Sequence, residues 1–222
     1  SVLFEGGRLE LPALALLVSG GHTELVHVKD FGNYEVIGRT RDDAVGEAFD
    51  KVARMLGLPY PGGPEISRLA AKARARSSED TIKLPRPMIH SKNLDFSYSG
   101  LKTAVLYKLR ELGDLDDNMR AEIARAFEDA AIEVLIEKTR MALIELRGKI
   151  ETVIVAGGVS ANLYLSGELK KLMSEFPEVS LRIPTKQLCT DNAIMIGIAA
   201  FIKVSRDPRV LEKQKPIIAR GN

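Results

Sequence analysis

The sequence is poor in cysteine, and Cys189 is the only one among its 222 residues. An internal disulfide and a zinc cluster built from several cysteines are therefore excluded, and the chain suits a reducing compartment. No apolar run reaches the roughly 18 residues that a membrane span needs, and the first residues lack the basic and then apolar order of a secretion signal. We predict a cytoplasmic protein with no membrane contact.

The sequence also lacks a strong excess of charge of either sign. Its formal net charge is +2, so attraction to an anionic polymer would have to come from a local patch. One basic stretch is a candidate for contacts with nucleic-acid phosphates, although the same pattern is equally typical of a solvated helix. It comprises Arg68, Lys72, Arg74, Arg76, Lys83, Arg86 and Lys92.

The hydrophobic pattern indicates an α/β domain. Apolar residues make up 45% of the chain, enough for a sizeable core. Three extended segments separated by short glycine turns are predicted to be strands, at Leu14 to Val18, Thr23 to Lys29 and Tyr34 to Thr40, and helices and two further strands follow. This order is typical of a mixed sheet, antiparallel at the start and parallel later. Residues 61–114, which begin with prolines and turn glycines, are predicted to form an insertion with helices on the main domain.

Two glycine turns interrupt the apolar strands, in "LALLVSGGHTELV" at residues 14–26 and "VIVAGGVSANL" at residues 153–163. Glycine lacks the Cβ that would block a phosphate or a ribose, and backbone amides at such turns can donate hydrogen bonds to a ligand. One such hairpin is usually no more than a turn, whereas two at the ends of buried strands can face one ligand. We therefore predict backbone amides that are left free for that ligand.

Several acidic residues lie near these turns. Asp42 and Asp43 precede a predicted helix, where acidic residues are ordinary helix caps. Asp50 lies in the middle of that helix, where it has no cap to make, so its carboxylate could accept hydrogen bonds from ribose hydroxyls. Asp191 opens an apolar helix and is either a cap or a metal ligand.

Five stretches, in this order and spacing, resemble the TsaD family, the tRNA threonylcarbamoyladenosine-modifying proteins once described as O-sialoglycoprotein endopeptidases. They are "LVSGGHTELV", "DDAVGEAFDKVARMLGLPYPGGPEISRLA", "PRPMIHSKNLDFSYSGLKTAVL", "VAGGVSANLYL" and "LCTDNAIMIG". The resemblance is to the bacterial or mitochondrial branch. It implies the actin-like, sugar-kinase-like (ASKHA) fold, which is built from ribonuclease-H-like lobes.

The resemblance implies a transferase that moves a threonylcarbamoyl group from threonylcarbamoyl-AMP to the exocyclic amine of the adenosine next to the anticodon of tRNA. The ligand would be threonylcarbamoyl-AMP, or ATP or ADP as its adenylate equivalent. Asp191 would be one ligand of a divalent metal ion, iron or zinc, and His22 would be either a general base or a positioning residue. The substrate-binding residues that it implies are Leu17, Val18, Ser19, Gly20, Gly21, Asp50, Gly63 and Asn162.

The resemblance also implies partners. These are tRNA, a TsaB-like paralogue and a TsaE-like ATPase, and a homodimer is a further state open to such a protein. The substrate is an activated mixed anhydride, so the protein would mainly hold it, place the amine in line and stabilise charge on the carbamoyl oxygen. No nucleophilic side chain is required.

The sequence departs from the family pattern in its histidines. The other metal ligands of the family form a His-x-x-x-His pair, which would fall at or before Ser1, and His22, His27 and His90 do not have that spacing. We expect residues 1–222 to be the C-terminal part of a TsaD-like protein, with one main lobe and without the first. The alternative is a non-catalytic lobe that binds nucleotide or a partner and has lost the histidines. A sugar or acetate kinase is disfavoured because no acceptor pocket or catalytic acid is recognisable, and a zinc peptidase because His-Glu-x-x-His is absent.

Overall fold

The computed structural model describes residues 9–76, 82–189 and 192–210. Five strands and six α-helices lie within these ranges. In chain order they are β1 (Ala13–Val18), β2 (Thr23–Asp30), β3 (Asn33–Arg39), α1 (Val45–Met55), α2 (Gly62–Arg76), α3 (Ser99–Leu112), α4 (Asp117–Glu145), β4 (Thr152–Ala156), α5 (Leu163–Met173), β5 (Ser180–Arg182) and α6 (Ala193–Arg206).

The strands form one mixed sheet in the order β3-β2-β1-β4-β5. The first three strands are antiparallel, because short turns connect them, and β4 and β5 run parallel to β1, because helices carry the chain back to the same edge. The predicted mixed α/β sheet is confirmed. Its strand order agrees with the ribonuclease-H-like lobe that the resemblance implies.

The main core lies on one face of the sheet, beneath the helices. Alternate residues of β1, including Leu14 and Leu16, are completely buried against α1 and α4. Phe49 of α1 meets Phe127 of α4 edge to face, with ring centroids 5.0 Å apart. The apolar periodicity before β4 therefore belongs to one continuous 29-residue helix, α4, and not to two.

The region predicted to be an insertion adds side chains to this same core. Ile66 of α2 and Leu101 of α3 are fully buried, and Phe96 forms a parallel bridge with Thr40 after β3. These contacts join residues 61–114 to the main domain. The prediction that they are an insertion stays a prediction.

The opposite face of the sheet carries a smaller apolar cluster that includes Ala15, Val26 and Ile154. Helix α6 leaves Ile196 and Phe201 largely exposed. In the described part of the chain, no helix combines the length and the apolar character required to cross a bilayer.

Asp42 caps a helix, as predicted, but the helix is α3 and not α1. Its carboxylate accepts hydrogen bonds from the backbone amides of Tyr98 (2.7 Å) and Ser99 (3.1 Å), so it caps α3 and not the helix that follows it in sequence. The first amide of α1, that of Val45, instead donates to Thr23 Oγ1 at 2.8 Å. The residues next to Asp42 in sequence do not reveal this exchange of capping partners, because the partners meet only in the folded structure.

Asp43 is likewise an anchor for α3 rather than a cap of α1. Its two carboxylate oxygens accept from Lys51 Nζ at 2.8 Å and from Lys102 Nζ at 2.6 Å. Partial burial raises the pKa of Asp43, but the two lysines outweigh that effect and hold the pKa below its ordinary value. Together, Asp42 and Asp43 fix the start of α3 beside α1.

Replacement of Asp42 by alanine should lower the free energy of unfolding by about 1 kcal/mol at pH 7, because a helix cap is lost. Partial burial raises the pKa of Asp42, but hydrogen bonds from Ser97, Tyr98 and Ser99 outweigh it and hold the pKa below 3.8. The stabilisation is therefore present above about pH 4 and is lost as pH falls through the lowered pKa. Urea unfolding at pH 7 and at pH 3 measures both effects.

The matched control for this experiment is Asp114→Ala, which removes an exposed carboxylate just after α3. We expect the unfolding free energy of that variant to stay within about 0.5 kcal/mol of the wild type. An equal loss in both variants would contradict the capping role of Asp42.

Candidate functional site

The two glycine turns lie side by side at one end of the sheet. β1 and β4 are parallel neighbours, with Leu17 opposite Ala156, so both strands deliver their turns to the same edge. Gly157 has φ +98°, and a Cβ at that position would stand only 2.3 Å from the carbonyl oxygen of Val18. Only glycine permits this close approach, which joins the second turn to the end of the first strand.

Four other glycines, three of them in these turns and one at the start of α2, border open space, because a Cβ built on any of them meets no atom within 4 Å. None of the four has a positive φ, so neither backbone conformation nor packing within the described chain requires glycine there. Glycine would be needed at these positions if a ligand approached the backbone closely, because any side chain would then collide with that ligand. These residues, called the glycine cradle below, are Gly20, Gly21, Gly63 and Gly158.

The amides of the first turn are mostly engaged, which corrects the prediction that they are free. Ser19 Oγ accepts from the amides of Gly21 (3.2 Å) and His22 (2.9 Å), and the Ser19 amide donates to the His22 carbonyl at 2.8 Å. Among the described residues, the Gly20 amide donates to none. The cause is local, because a serine hydroxyl folds back onto nearby amides of its own turn.

The other predicted residues of this turn differ in what they can offer a ligand. The Val18 side chain is fully buried in the main core, and Leu17 packs with the cluster on the opposite sheet face. Only their backbone atoms can face the cradle. His22 is exposed, and no hydrogen bond to its imidazole is present in the described part of the chain.

Asp50 does make a cap, contrary to expectation. Its Oδ1 accepts from the amide of Gly62 at 2.8 Å and so fixes the start of α2. Gly62 is packed tightly here, since a Cβ on it would lie 2.5 Å from Ala53 Cβ. No described residue donates to Asp50 Oδ2, so one carboxylate oxygen remains able to accept from a ligand hydroxyl.

The side chain of Asn162 is committed to the protein. Its Oδ1 accepts from the Leu165 amide at 2.9 Å and caps α5, while its Nδ2 donates to Ser67 Oγ (2.9 Å) and to Glu128 Oε1 (2.8 Å). Both amide hydrogens are thereby used. Asn162 was predicted to contact the adenylate. It could do so only through its backbone or through the remaining lone pair of Oδ1.

Glu128 was not predicted from the sequence, yet it joins three helices. Its side chain is 0% exposed on α4, and besides Asn162 it accepts from Ser67 Oγ (2.7 Å) and Arg74 Nη1 (2.6 Å). Arg74 also pairs with Asp129 and stacks 3.5 Å from the ring centroid of Tyr164. The available signal was a carboxylate next to Phe127, on the apolar face of a helix, a position that demands partners.

The electrostatics of this network follow from its burial. Burial raises the pKa of Tyr164, and the neighbouring Asp129 raises it further, so the phenol stays protonated. Burial lowers the pKa of Arg74, but the hydrogen bonds that Arg74 donates to Asp129 and Glu128 outweigh that effect, and the guanidinium stays charged. The Tyr164 phenol and the Arg74 guanidinium therefore neither lose nor accept a proton near neutral pH.

The predicted metal site cannot be built from the described residues. No group of three His, Cys, Asp or Glu side chains within 9–76, 82–189 and 192–210 could hold a metal ion. Asp191, the predicted ligand, lies outside the described residues. The metal ion therefore stays a prediction, and no chemical step is derived through it.

The basic stretch that was a candidate for phosphate contacts is largely paired with carboxylates. Four of its seven members make ion pairs, which neutralise most of the local positive charge. This result favours the alternative of a solvated helix over a phosphate-binding surface. The pairs are Arg68 with Glu65, Arg74 with Glu128 and Asp129, Arg76 with Glu122, and Arg86 with Glu133.

Comparisons with known proteins agree with the resemblance. A family model described as "TsaD: tRNA N6-adenosine threonylcarbamoyltransferase" matches residues 1–198. A protein of that name from Halalkalibacterium halodurans is 51% identical over 88% of this chain and 55% of its own length. Those of Chromobacterium violaceum and Thermosipho africanus are each 48% identical, over 92% and 87% of this chain and 59% and 56% of their own lengths. The chain spans little more than half the length of these relatives.

Replacement of Gly63 by alanine should raise the free energy of unfolding by about 0.5 kcal/mol, because alanine favours a helix and the new Cβ meets open space. The adjacent Gly62→Ala should lower it by about 1–3 kcal/mol, because its Cβ collides with Ala53 and Asp50. Thermal unfolding of both variants measures the contrast. A loss of stability in Gly63→Ala would contradict the open cradle.

Proposed function

The chain belongs to the TsaD family, and from that premise we propose that the protein transfers a threonylcarbamoyl group from threonylcarbamoyl-AMP to tRNA. The acceptor is the exocyclic amine of the adenosine next to the anticodon. The glycine cradle is the observation that carries this proposal. It offers bare backbone, unexplained by the packing of the described chain, at the edge where two parallel strands end and at the start of α2.

The cradle suits the adenylate half of such a substrate. Gly20, Gly21 and Gly158 leave room for a phosphate to approach the backbone, and the Gly20 amide is available as a donor. Asp50 holds α2 with Oδ1 and can accept from a ribose hydroxyl with Oδ2. ATP or ADP would present the same adenosine and phosphate groups to these residues.

The reaction itself needs little from the side chains. The adenosine amine attacks the carbamoyl carbon, a new C–N bond forms, the bond between that carbon and the phosphate oxygen breaks, and AMP leaves with the electron pair. The amine loses one proton, and we assign its acceptance to His22, whose imidazole is exposed in the cradle turn. The remaining contribution is to hold both reactants in line.

The predicted partners are part of the same proposal. The protein would act on tRNA in the cytoplasm together with a TsaB-like paralogue and a TsaE-like ATPase, or as a homodimer. Asp191 is proposed as a ligand of an iron or zinc ion. The support for all of these is family membership.

A single-turnover assay of transfer from synthetic threonylcarbamoyl-AMP to tRNA, made with the full protein and its partners, tests the proposal. We expect transfer by the wild type and loss of transfer with Asp191→Ala. Binding of AMP without any transfer by the wild type would overturn the transferase and support the non-catalytic lobe.

His22→Gln should lower kcat/KM by about 100-fold, the usual contribution of a general base. The matched control is His90→Gln, which changes an exposed histidine between α2 and α3 and should leave kcat/KM unchanged. Equal rates for the wild type and His22→Gln would show that His22 does not accept the proton. A pH dependence of the wild-type rate that disappears in His22→Gln would support the base.

A further inference from the structure

The buried carboxylate of Glu128 connects the two helices that border the cradle. It is fully enclosed on α4 and accepts hydrogen bonds from Ser67 and Arg74 of α2 and from Asn162 at the start of α5. We propose that Glu128 is a positioning residue for the adenylate pocket. This inference rests on the proposed function and concerns how the same site keeps its shape.

The link to α2 reaches the cradle directly. Gly63 and Ser67 are four residues apart in α2, so they lie on the same helix face, one turn from each other. Ser67 Oγ donates to Glu128 at 2.7 Å and accepts from Asn162 at 2.9 Å. Any rotation of α2 that moved Gly63 would therefore have to break the bonds of Ser67.

The link to α5 fixes the second turn. Asn162 caps α5 and follows the short 3₁₀ turn Gly158–Ala161, which carries the open cradle residue Gly158. One oxygen, Glu128 Oε1, receives both Ser67 Oγ and Asn162 Nδ2. Glu128 Oε1 thus links the helix that carries Gly63 to the turn that carries Gly158, in addition to the hydrogen bond from the Gly62 amide to Asp50.

The charge of Glu128 is needed as well as its oxygen. Arg74 pairs with Glu128 and Asp129, and Arg125 lies 3.5 Å from Asp129, so two buried or half-buried cations face two carboxylates. Glutamine at position 128 keeps an acceptor for Ser67 and Asn162 but removes half of this negative charge. Arg74 would then shift toward Asp129, and the shared Oε1 contact would loosen.

Loss of the contacts made by Glu128 should raise KM rather than lower kcat. The groups held by Glu128 border the adenosine and phosphate half of the substrate, which does not react, and such contacts contribute equally to ground state and transition state. We expect Glu128→Gln and Ser67→Ala to raise the KM for threonylcarbamoyl-AMP by about ten-fold, with kcat within about two-fold. Ser67→Thr keeps the hydroxyl, so the KM of that variant should equal the wild-type KM.

Two variants on the same helix separate positioning from folding. Lys138→Met removes another fully buried charge of α4, one that holds Ser91 and Asn93 rather than α2 or α5, and should lower the melting temperature without changing KM. Glu133→Gln removes the partner of Arg86 on the surface and should change neither. The full protein is used throughout, with melting temperature, AMP binding by calorimetry and transfer kinetics measured for each variant.

The outcomes are distinct. A rise in KM confined to Glu128→Gln and Ser67→Ala, with recovery in Ser67→Thr, supports positioning. An unchanged KM in Glu128→Gln, or an equal rise in Lys138→Met, overturns the positioning role, while transfer by the wild type still supports the proposed function.

Binding of AMP by the wild type without transfer overturns the transferase, and the affinity of the variants for AMP then decides the role of Glu128. Absence of AMP binding by the wild type overturns both.

Discussion

Parallel pairing between β1 and β4 is the constraint on which the rest of the site depends. It places both glycine turns at one sheet edge, and Gly157 is pressed so closely against Val18 that no side chain fits between them. A shift of the register by one residue would exchange the two faces of β1 and move Leu16 out of the core. The core and the cradle are therefore specified together, and neither can change alone.

Side chains hold the beginnings of three helices around this edge, and most of them are distant in sequence from the helix that they hold. Thr23 receives the first amide of α1, Asp50 receives that of α2, and Asn162 caps α5 while Glu128 holds it against α2. Such cross-links make the border of the cradle stiff. A stiff border is suited to a substrate that is already activated, because the protein then contributes mainly by placing its two reactants.

The sequence predicted the elements well because their signals are local or periodic. A continuous apolar run located β1, and two Gly-Gly turns at strand ends indicated that both turns could face one ligand. The partners of polar side chains were not predictable in the same way. Asp50 finds Gly62 twelve residues away, and Glu128 finds Ser67 and Asn162 across the fold, so their roles depend on tertiary packing that no single stretch records. Ser19 was predicted to contact the substrate, but the hydrogen bonds that its hydroxyl accepts from the Gly21 and His22 amides were not predicted, because they depend on the conformation of the turn.

The hydroxyl of Ser19 gives the first turn a resting state that is complete without a ligand. The Ser19 hydroxyl accepts from the amides of Gly21 and His22. An anion can bind those amides only after the serine side chain rotates to another staggered position. Binding at this turn is thus an exchange of hydrogen bonds rather than a net gain. A lone phosphate gains little from that exchange, whereas a ligand that also fills the space beside Gly63 and Gly158 gains additional contact, so the turn discriminates by size as well as by charge.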